Sequence, residues 1–362
     1  MTTDGLSAQE CERLIDGWLN TDIDDWARSV VRRHFDPESG SPYWIKRAGE
    51  LPFDPRDITR YDQLADLGPF DLDVLRHSDP ADFVPLAVQR PLNGRIWDTG
   101  GTSGAPCRVF YTRDMLVHRG VWRRWSFTTE GFEPHRTWLQ ATPTGPHLIG
   151  NGVWETSALY AARTYAIDMD PRWVKRLISG GHLDQARQYT DHLLDQITTV
   201  LSTRPVDYIN TTPALMLALT RRNPELVRDL SGVRLSGTHL TAPVYREIKE
   251  ALGNGLVGRS YGNTLGNAAG LPVEQPGDLM PYAPNFPQVT MAVVDKADQR
   301  TIVPYGALGR VRLTVLHQDL FLPNVLERDE ALRYDTGDRF PVDGVADVRP
   351  LQAAVGNVEG LY

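Results

Sequence analysis

The chain has 362 residues, 41% of them hydrophobic and 23% charged, which is enough length for more than one core at ~100–200 residues per domain. These fractions exclude a disordered chain, and no window reaches the ~18 uninterrupted apolar residues of a membrane span. A net charge of −8 argues against a general nucleic-acid binder, which shows a basic face, although local donors can still hold an anion. Residues 1–10 lack the basic start and apolar middle of a signal peptide. With only Cys11 and Cys107 as cysteines, a cytoplasmic location is expected.

From Ser7 to about His34 the apolar spacing predicts two amphipathic helices broken near Leu19–Asp22, the first opened by Ser7 and Glu10 in capping-box order. Prolines punctuate Asp36–Pro91, so residues 1–90 read as a helical and irregular segment wrapping a core built later. Helices are predicted at Asp114–Trp125 and Leu183–Ser202, with a short strand at Trp138–Ala141 between them. Thereafter strands and helices alternate: Tyr208–Asn210, helix Pro213–Arg222, Val233–Ser236, helix Ala242–Leu252, Gly258–Tyr261. That alternation predicts an α/β fold with a largely parallel sheet over residues 91–285. Short strands at Val289–Val294, Leu308–Thr314 and Phe340–Val342 predict a β-rich subdomain over residues 286–362.

The stretch Asp98-Thr-Gly-Gly-Thr-Ser-Gly-Ala-Pro-Cys107 is rich in glycine and hydroxyls, just before a strand-like run at Val109–Thr112. Glycine frees backbone N–H groups to face a ligand and hydroxyls add donors, which suits an oxyanion. It matches neither a Walker A loop nor a dinucleotide fingerprint. Three readings stay open for the loop alone: a turn, a phosphate cradle, or a nucleophile elbow carrying Ser103. Pro106 and the run after it weaken the third and place the loop between two strands. Two further stretches, Leu235–Leu240 and Arg259–Gly266, lie at successive strand ends, where ligands bind in open α/β sheets. In the last, Leu332–Phe340, Asp338 on a tight turn suits a ribose diol, with a solvated turn as the alternative.

In order, these stretches resemble the motifs of the adenylate-forming superfamily, which includes acyl-CoA synthetases and peptide-synthetase adenylation domains. Thr99-Gly-Gly-Thr-Ser-Gly-Ala-Pro106 is similar to its phosphate loop, and Gly237-Thr-His-Leu240 stands where its adenine loop would be. Tyr261-Gly-Asn-Thr264 matches Tyr-Gly-x-Thr, and Tyr334-Asp-Thr-Gly-Asp338 matches Tyr-x-Thr-Gly-Asp. His34-Phe-Asp-Pro37 and Ser41-Pro-Tyr43 resemble the phenylacetate-CoA ligase branch. The length resembles stand-alone adenylation proteins of phenazine antibiotic pathways.

The resemblance implies the fold of the large N-terminal domain of these enzymes and ATP-dependent activation of an acid, expected to be aromatic, as its acyl-adenylate. It assigns Thr99, Thr102, Ser103, Gly100, Gly101 and Gly104 to the phosphates and Thr264 to the α-phosphate. Gly237, Thr238, His239, Tyr261, Gly262 and Asn263 fall to the adenine side, and Asp338 and Arg349 to the ribose. His147 and Trp154 are expected at the acid pocket, His147 with the alternative of a satisfied buried histidine. The expected partners are the acid and an acceptor enzyme, reductase or carrier protein, and a homodimer is compatible with the chain; neither nucleic acid nor a membrane is expected.

Three departures stand out. Cys107 replaces the family's lysine and is read as a packed residue; Leu265 replaces the glutamate that helps hold Mg²⁺, which leaves the metal site in question; and Gly-Thr-His replaces Gly-Gly-Glu. Only Arg339–Tyr362 follow the last motif, so the family's small C-terminal domain, which carries a catalytic lysine and completes the thioester channel, is expected to be absent. Two alternatives follow: a nucleotide- and acid-binding protein that has lost catalysis, and a serine hydrolase using Ser103.

Overall fold

The computed structural model describes residues 6–100, 105–274 and 279–351. Helix α1 (Ala8–Leu19) begins with a full capping box: Glu10 N–H donates to Ser7 Oγ at 3.2 Å and Ser7 N–H to Glu10 Oε2 at 2.8 Å. Asp22 caps α2 (Ile23–His34), accepting from the N–H groups of Asp24 and Asp25, both at 2.9 Å. The wrapping segment continues through α3 (Pro42–Ala48), α4 (Leu72–His77) and several 3₁₀ turns. It is tied to the distant sheet by side chains: Trp26 Nε1 donates to Leu316 O at 2.7 Å and Trp44 Nε1 to Phe321 O at 3.0 Å. Each indole buries its ring while its N–H finds a carbonyl, as a buried indole requires.

Strands β1 (Gly94–Asp98) and β2 (Arg108–Thr112) form an antiparallel hairpin with Asp98 opposite Arg108, so the glycine-rich stretch is the hairpin loop, as expected for a loop between two strands. Helix α5 (Arg113–Thr129) follows, then β3 (Thr137–Ala141), α6 (Gly152–Tyr160), β4 (Arg163–Ala166), α7 (Pro171–Ser179), α8 (Leu183–Thr203) and β5 (Tyr208–Thr211). Next come α9 (Pro213–Arg222), α10 (Pro224–Arg228), β6 (Gly232–Leu235), α11 (Ala242–Leu252) and β7 (Leu256–Gly262). The remaining strands are β8 (Asn267–Gly270), β9 (Pro281–Pro284), β10 (Val289–Val294), β11 (Leu308–His317), β12 (Leu320–Tyr334) and β13 (Gly344–Pro350).

Among the described residues, eleven strands join one sheet in the order β10-β11-β12-β13-β9-β8-β7-β6-β5-β3-β4. The half from β4 to β7 is parallel, and β7 pairs antiparallel with β8, where the sheet changes character. Parallel strands are covered on both faces by their crossover helices. Accordingly β3, β5 and β6 are buried at every position. Trp138 on β3 stacks on Phe127 of α5 at 4.9 Å and meets Tyr208 of β5 at 4.8 Å, welding helix to sheet.

The predicted strand at Phe340–Val342 is not one. Thr336 Oγ1 donates to Val342 O at 2.7 Å, which curls this segment back on itself, and Phe340 is buried against Trp122 and Trp125. The strand begins at Gly344, where a Cβ would lie 2.5 Å from Tyr282 O; only glycine permits that approach.

Candidate functional site

The segments that follow the carboxyl ends of β3 and β7 meet at the base of the β1–β2 hairpin. Asp98, the last residue of β1, is buried, and its N–H donates to Pro146 O at 2.9 Å beside a parallel bridge to His147. Thr99 N–H donates to Cys107 O at 2.9 Å, and Cys107 N–H donates to Thr99 Oγ1 at 2.9 Å, closing the loop's neck. That leaves the Thr99 O–H as a free-turning donor. Cys107 is buried, its Sγ 3.5 Å from Leu72 O, and burial pushes its thiol up, so it sits packed rather than poised as a nucleophile. Gly101, Thr102, Ser103 and Gly104 lie outside the described residues.

A helix not foreseen from the sequence docks on this base. Asp170 caps α7, accepting from Arg172 N–H at 2.9 Å and Trp173 N–H at 3.2 Å. Arg172 then reaches Asp98 Oδ2 at 2.5 Å, and Lys175 Nζ donates to Gly100 O at 3.1 Å. Burial lowers the Lys175 pKa, and the positive charges of Arg328 and Arg172 add to it. His147 is buried beside the same group, and burial, then Arg172 and Lys175, hold it below the usual histidine range. It is therefore neutral at pH 7 and sits at the neck, bridged to Asp98.

At the end of β7, Gly262 takes φ 140°, and the Asn263 side chain folds back to accept from Leu265 N–H at 2.7 Å. Thr264 is buried; its Oγ1 donates to Asp98 O at 3.1 Å, and its carbonyl accepts from Tyr111 Oη at 2.8 Å. The Tyr-Gly-Asn-Thr stretch is thus joined to the neck of the glycine-rich loop across 166 positions of chain. Tyr261 is half-buried and donates from its hydroxyl to Asp329 Oδ2 at 2.9 Å, and burial, reinforced by Asp329, raises its pKa well above the ordinary value. At the end of β6, Gly237 takes φ 89°, which a side chain would oppose, and the buried Thr238 Oγ1 has no hydrogen-bond partner among the described residues. His239 is half-buried beside it.

No protein-family model matches the chain, and no curated protein matches its sequence. Solved structures do match in shape. A 2-hydroxyisobutyryl-CoA ligase in an open conformation, in complex with 2-HIB-AMP and CoA, superposes with TM-score 0.61 at 15% identity, over 99% of this chain and 78% of that one. The same ligase in the postadenylation state with R3-HIB-AMP gives TM-score 0.62 at 16% identity, over 94% of this chain and 67% of that one. The chain has the fold of the large N-terminal domain of adenylate-forming enzymes.

Within this fold, the last of the four stretches follows β12. Asp335 accepts from Gly337 N–H at 2.9 Å, Gly337 has φ 59°, and Asp338 is exposed on a 3₁₀ turn. Arg349 lies opposite Glu330 in the β12–β13 register and donates to its buried carboxylate at 2.8 Å, so here its guanidinium serves the sheet. Trp154 stands on α6 with 68% exposure.

The residue that stands where the sequence resemblance implies a Mg²⁺ ligand does not fit the ion. The Leu265 side chain offers no oxygen; it is buried and lines a pocket with Tyr111, Met115, Trp122 and Val289. Asp114, His118 and His317 form a grouping whose two histidines line that pocket. There Asp319 N–H donates to His317 Nδ1 at 2.9 Å, which places the proton on Nε2, and that proton faces His118 Nδ1 at 2.7 Å. The pair is a hydrogen bond whose proton occupies the lone pair a metal needs.

The carboxylate that does meet the motif is Glu327 on β12, whose Oε1 accepts from Asn263 Nδ2 at 2.8 Å. Burial pushes its carboxyl up to about 7, with Asp329 adding and Asn263 opposing. A carboxyl raised from 4.5 binds its proton more tightly in the folded state, so its contribution falls as pH rises through the window from 4.5 to about 7. The wild type is expected to lose melting temperature relative to Glu327→Gln between about pH 4.5 and 7, because glutamine keeps the Asn263 bond without titrating. Parallel melting profiles for the two proteins across that window would refute it.

Proposed function

We propose that this protein activates a carboxylic acid as its acyl-adenylate with release of pyrophosphate. The observation that carries the reading is the 3.1 Å contact between Thr264 Oγ1 and Asp98 O, which brings the glycine-rich hairpin and the Tyr-Gly-Asn-Thr stretch to one point at the carboxyl ends of parallel strands. An acid carboxylate oxygen attacks the α-phosphorus of ATP, the bond from that phosphorus to the bridging oxygen breaks, and its electron pair leaves with pyrophosphate. No proton need move, so the protein's work is to position the reactants and offset charge.

In this reading the Thr264 hydroxyl hydrogen, free to rotate, turns from Asp98 O to an α-phosphate oxygen. The Thr99 O–H and the loop's N–H groups serve the outer phosphates. The Tyr261 ring and the Gly237–His239 turn flank adenine, and Asp338, exposed on its turn, accepts from the ribose hydroxyls. His147, uncharged and at the neck, borders an aryl acid without adding a competing cation. Mg²⁺ enters with ATP as the counter-ion of its phosphates rather than as a ligand of residue 265. The adenylate passes to an acceptor enzyme, reductase or carrier protein.

ATP–pyrophosphate exchange across a panel of aryl acids, with and without Mg²⁺, tests this directly. At least one acid is expected to support exchange, and Thr264→Ala is expected to lower it about 10²-fold, the size of one lost oxyanion donor. Tight ATP or AMP binding with no exchange for any acid would favour instead a binding protein that has lost catalysis. Covalent labelling of Ser103 by a fluorophosphonate would favour the hydrolase.

A further inference from the structure

The loop's neck carries Cys107 where adenylate-forming enzymes carry lysine, and helix α7 brings two cationic side chains to that neck. The helix is pinned by the Arg172–Asp98 pair at 2.5 Å and by Lys175 Nζ at 3.1 Å from Gly100 O. The approach is close: a Cβ on Gly100 would lie 3.0 Å from Lys175 Nζ, so the ammonium is seated directly against the loop backbone.

An ammonium has three N–H donors. Gly100 O takes one, and among the described residues no carboxylate pairs with Lys175 within 4.0 Å. A half-buried cation held near Arg172 and Arg328, with two donors to spare, is costly unless an anion joins it. Arg172 cannot fill the same role, since Asp98 already neutralises it.

We propose that Lys175 is the cation of the phosphate loop, binding the β- and γ-phosphates of ATP in place of the lysine that Cys107 replaces. This assignment rests on the adenylation reading and names the residue that offsets charge on its leaving group. Lys175 touches the loop at Gly100, whereas the α-phosphate contact in that reading is Thr264, so its charge serves the pyrophosphate half of the nucleotide. As the Pα–O bond breaks, negative charge grows on that half, and a fixed cation there stabilises departure. AMP, which lacks both outer phosphates, gains nothing from it.

The test compares ATP and AMP binding by titration calorimetry on wild type, Lys175→Gln and Lys175→Arg, with thermal unfolding as the control for folding. Lys175→Gln is expected to weaken ATP about tenfold or more while AMP stays within about twofold, and Lys175→Arg to keep most ATP affinity, because charge rather than shape carries the effect. A loss for ATP that exceeds the loss for AMP by less than about fivefold overturns the assignment and leaves Lys175 a structural anchor of α7. If the wild type binds ATP tightly and Lys175→Gln changes nothing, only this assignment fails. If the wild type binds neither nucleotide, the adenylation reading fails and takes the assignment with it.

Discussion

Gly262→Ala is expected to lower ATP–pyrophosphate exchange by about 10²-fold or more, the loss that follows a displacement of about 1 Å at reacting groups. Gly262 ends β7 with φ 140°, a conformation that costs a side chain about 1–3 kcal/mol. Space is shorter still. A Cβ there would stand 2.3 Å from Gly266 O and 2.7 Å from Asn267 Cα, both of them backbone that cannot swing aside. Because Gly262 pairs with Asn267 in the β7–β8 ladder, the only relief is to open the turn that carries Asn263 and Thr264. That turn holds the Thr264–Asp98 contact at 3.1 Å, so the strain is delivered to the proposed phosphate site. Exchange kinetics together with denaturant unfolding check this: a variant with wild-type exchange would show that the turn does not position the reactants.

Glu130→Ala is expected to cost about 3–5 kcal/mol of stability, the range for breaking a buried ion pair from one side. Glu130 leaves the end of α5 and enters the sheet, where Oε2 faces Arg234 Nε at 3.2 Å and Oε1 accepts from Arg259 N–H at 2.9 Å. Both charged side chains of the pair are nearly sealed, at 9% and 6% exposure. Gly258 makes the approach feasible, because a Cβ there would lie 2.5 Å from Glu130 Oε2. Burial raises the Glu130 pKa even with Arg234 opposing it, so the cost of desolvation outweighs what its partners return. Alanine would strand the Arg234 guanidinium, which otherwise bonds Ser126 Oγ at 2.9 Å and lies over the Phe127 ring at 4.8 Å. Urea unfolding measures the cost. A loss below about 1 kcal/mol would mean that water reaches the pair. The pair lies beneath β6 and β7 rather than at their ends, so nucleotide affinity per folded molecule is expected to hold.

Among the described residues, no helix is long and apolar enough to cross a membrane, in keeping with the absence of an apolar run in the sequence. The α/β alternation was legible because its signals are local. Thr212 and Thr241 cap α9 and α11, Pro213 lies in the first turn of α9 and Pro243 in that of α11, and both helices begin and end where the residue pattern places them. Turns at Gly237, Gly262 and Gly337 were legible for the same reason, since each glycine answers a local demand for positive φ. Less visible were β1, β4, β8 and β9, which are four or five residues long and carry too few alternations to register as strands. Phe340–Val342 misled by composition: β-prone residues were recruited to an aromatic cluster and a threonine-bonded curl instead.

By itself, the sequence determined the class of fold, the hairpin loop, the order of the motifs and the two telling replacements, Cys107 and Leu265. Each of these depends on residues within a few positions of one another, where propensity, capping and glycine chemistry act. Tertiary structure alone decided that the parallel and antiparallel strands share one sheet through β7, that Arg349 is engaged by Glu330, and that Glu327 reaches Asn263. It also decided that a lysine 75 positions away meets the glycine-rich loop. The reason is physical: a charge is placed against a distant backbone by the packing of the helix that carries it, and a sequence pattern records the helix but not its neighbour.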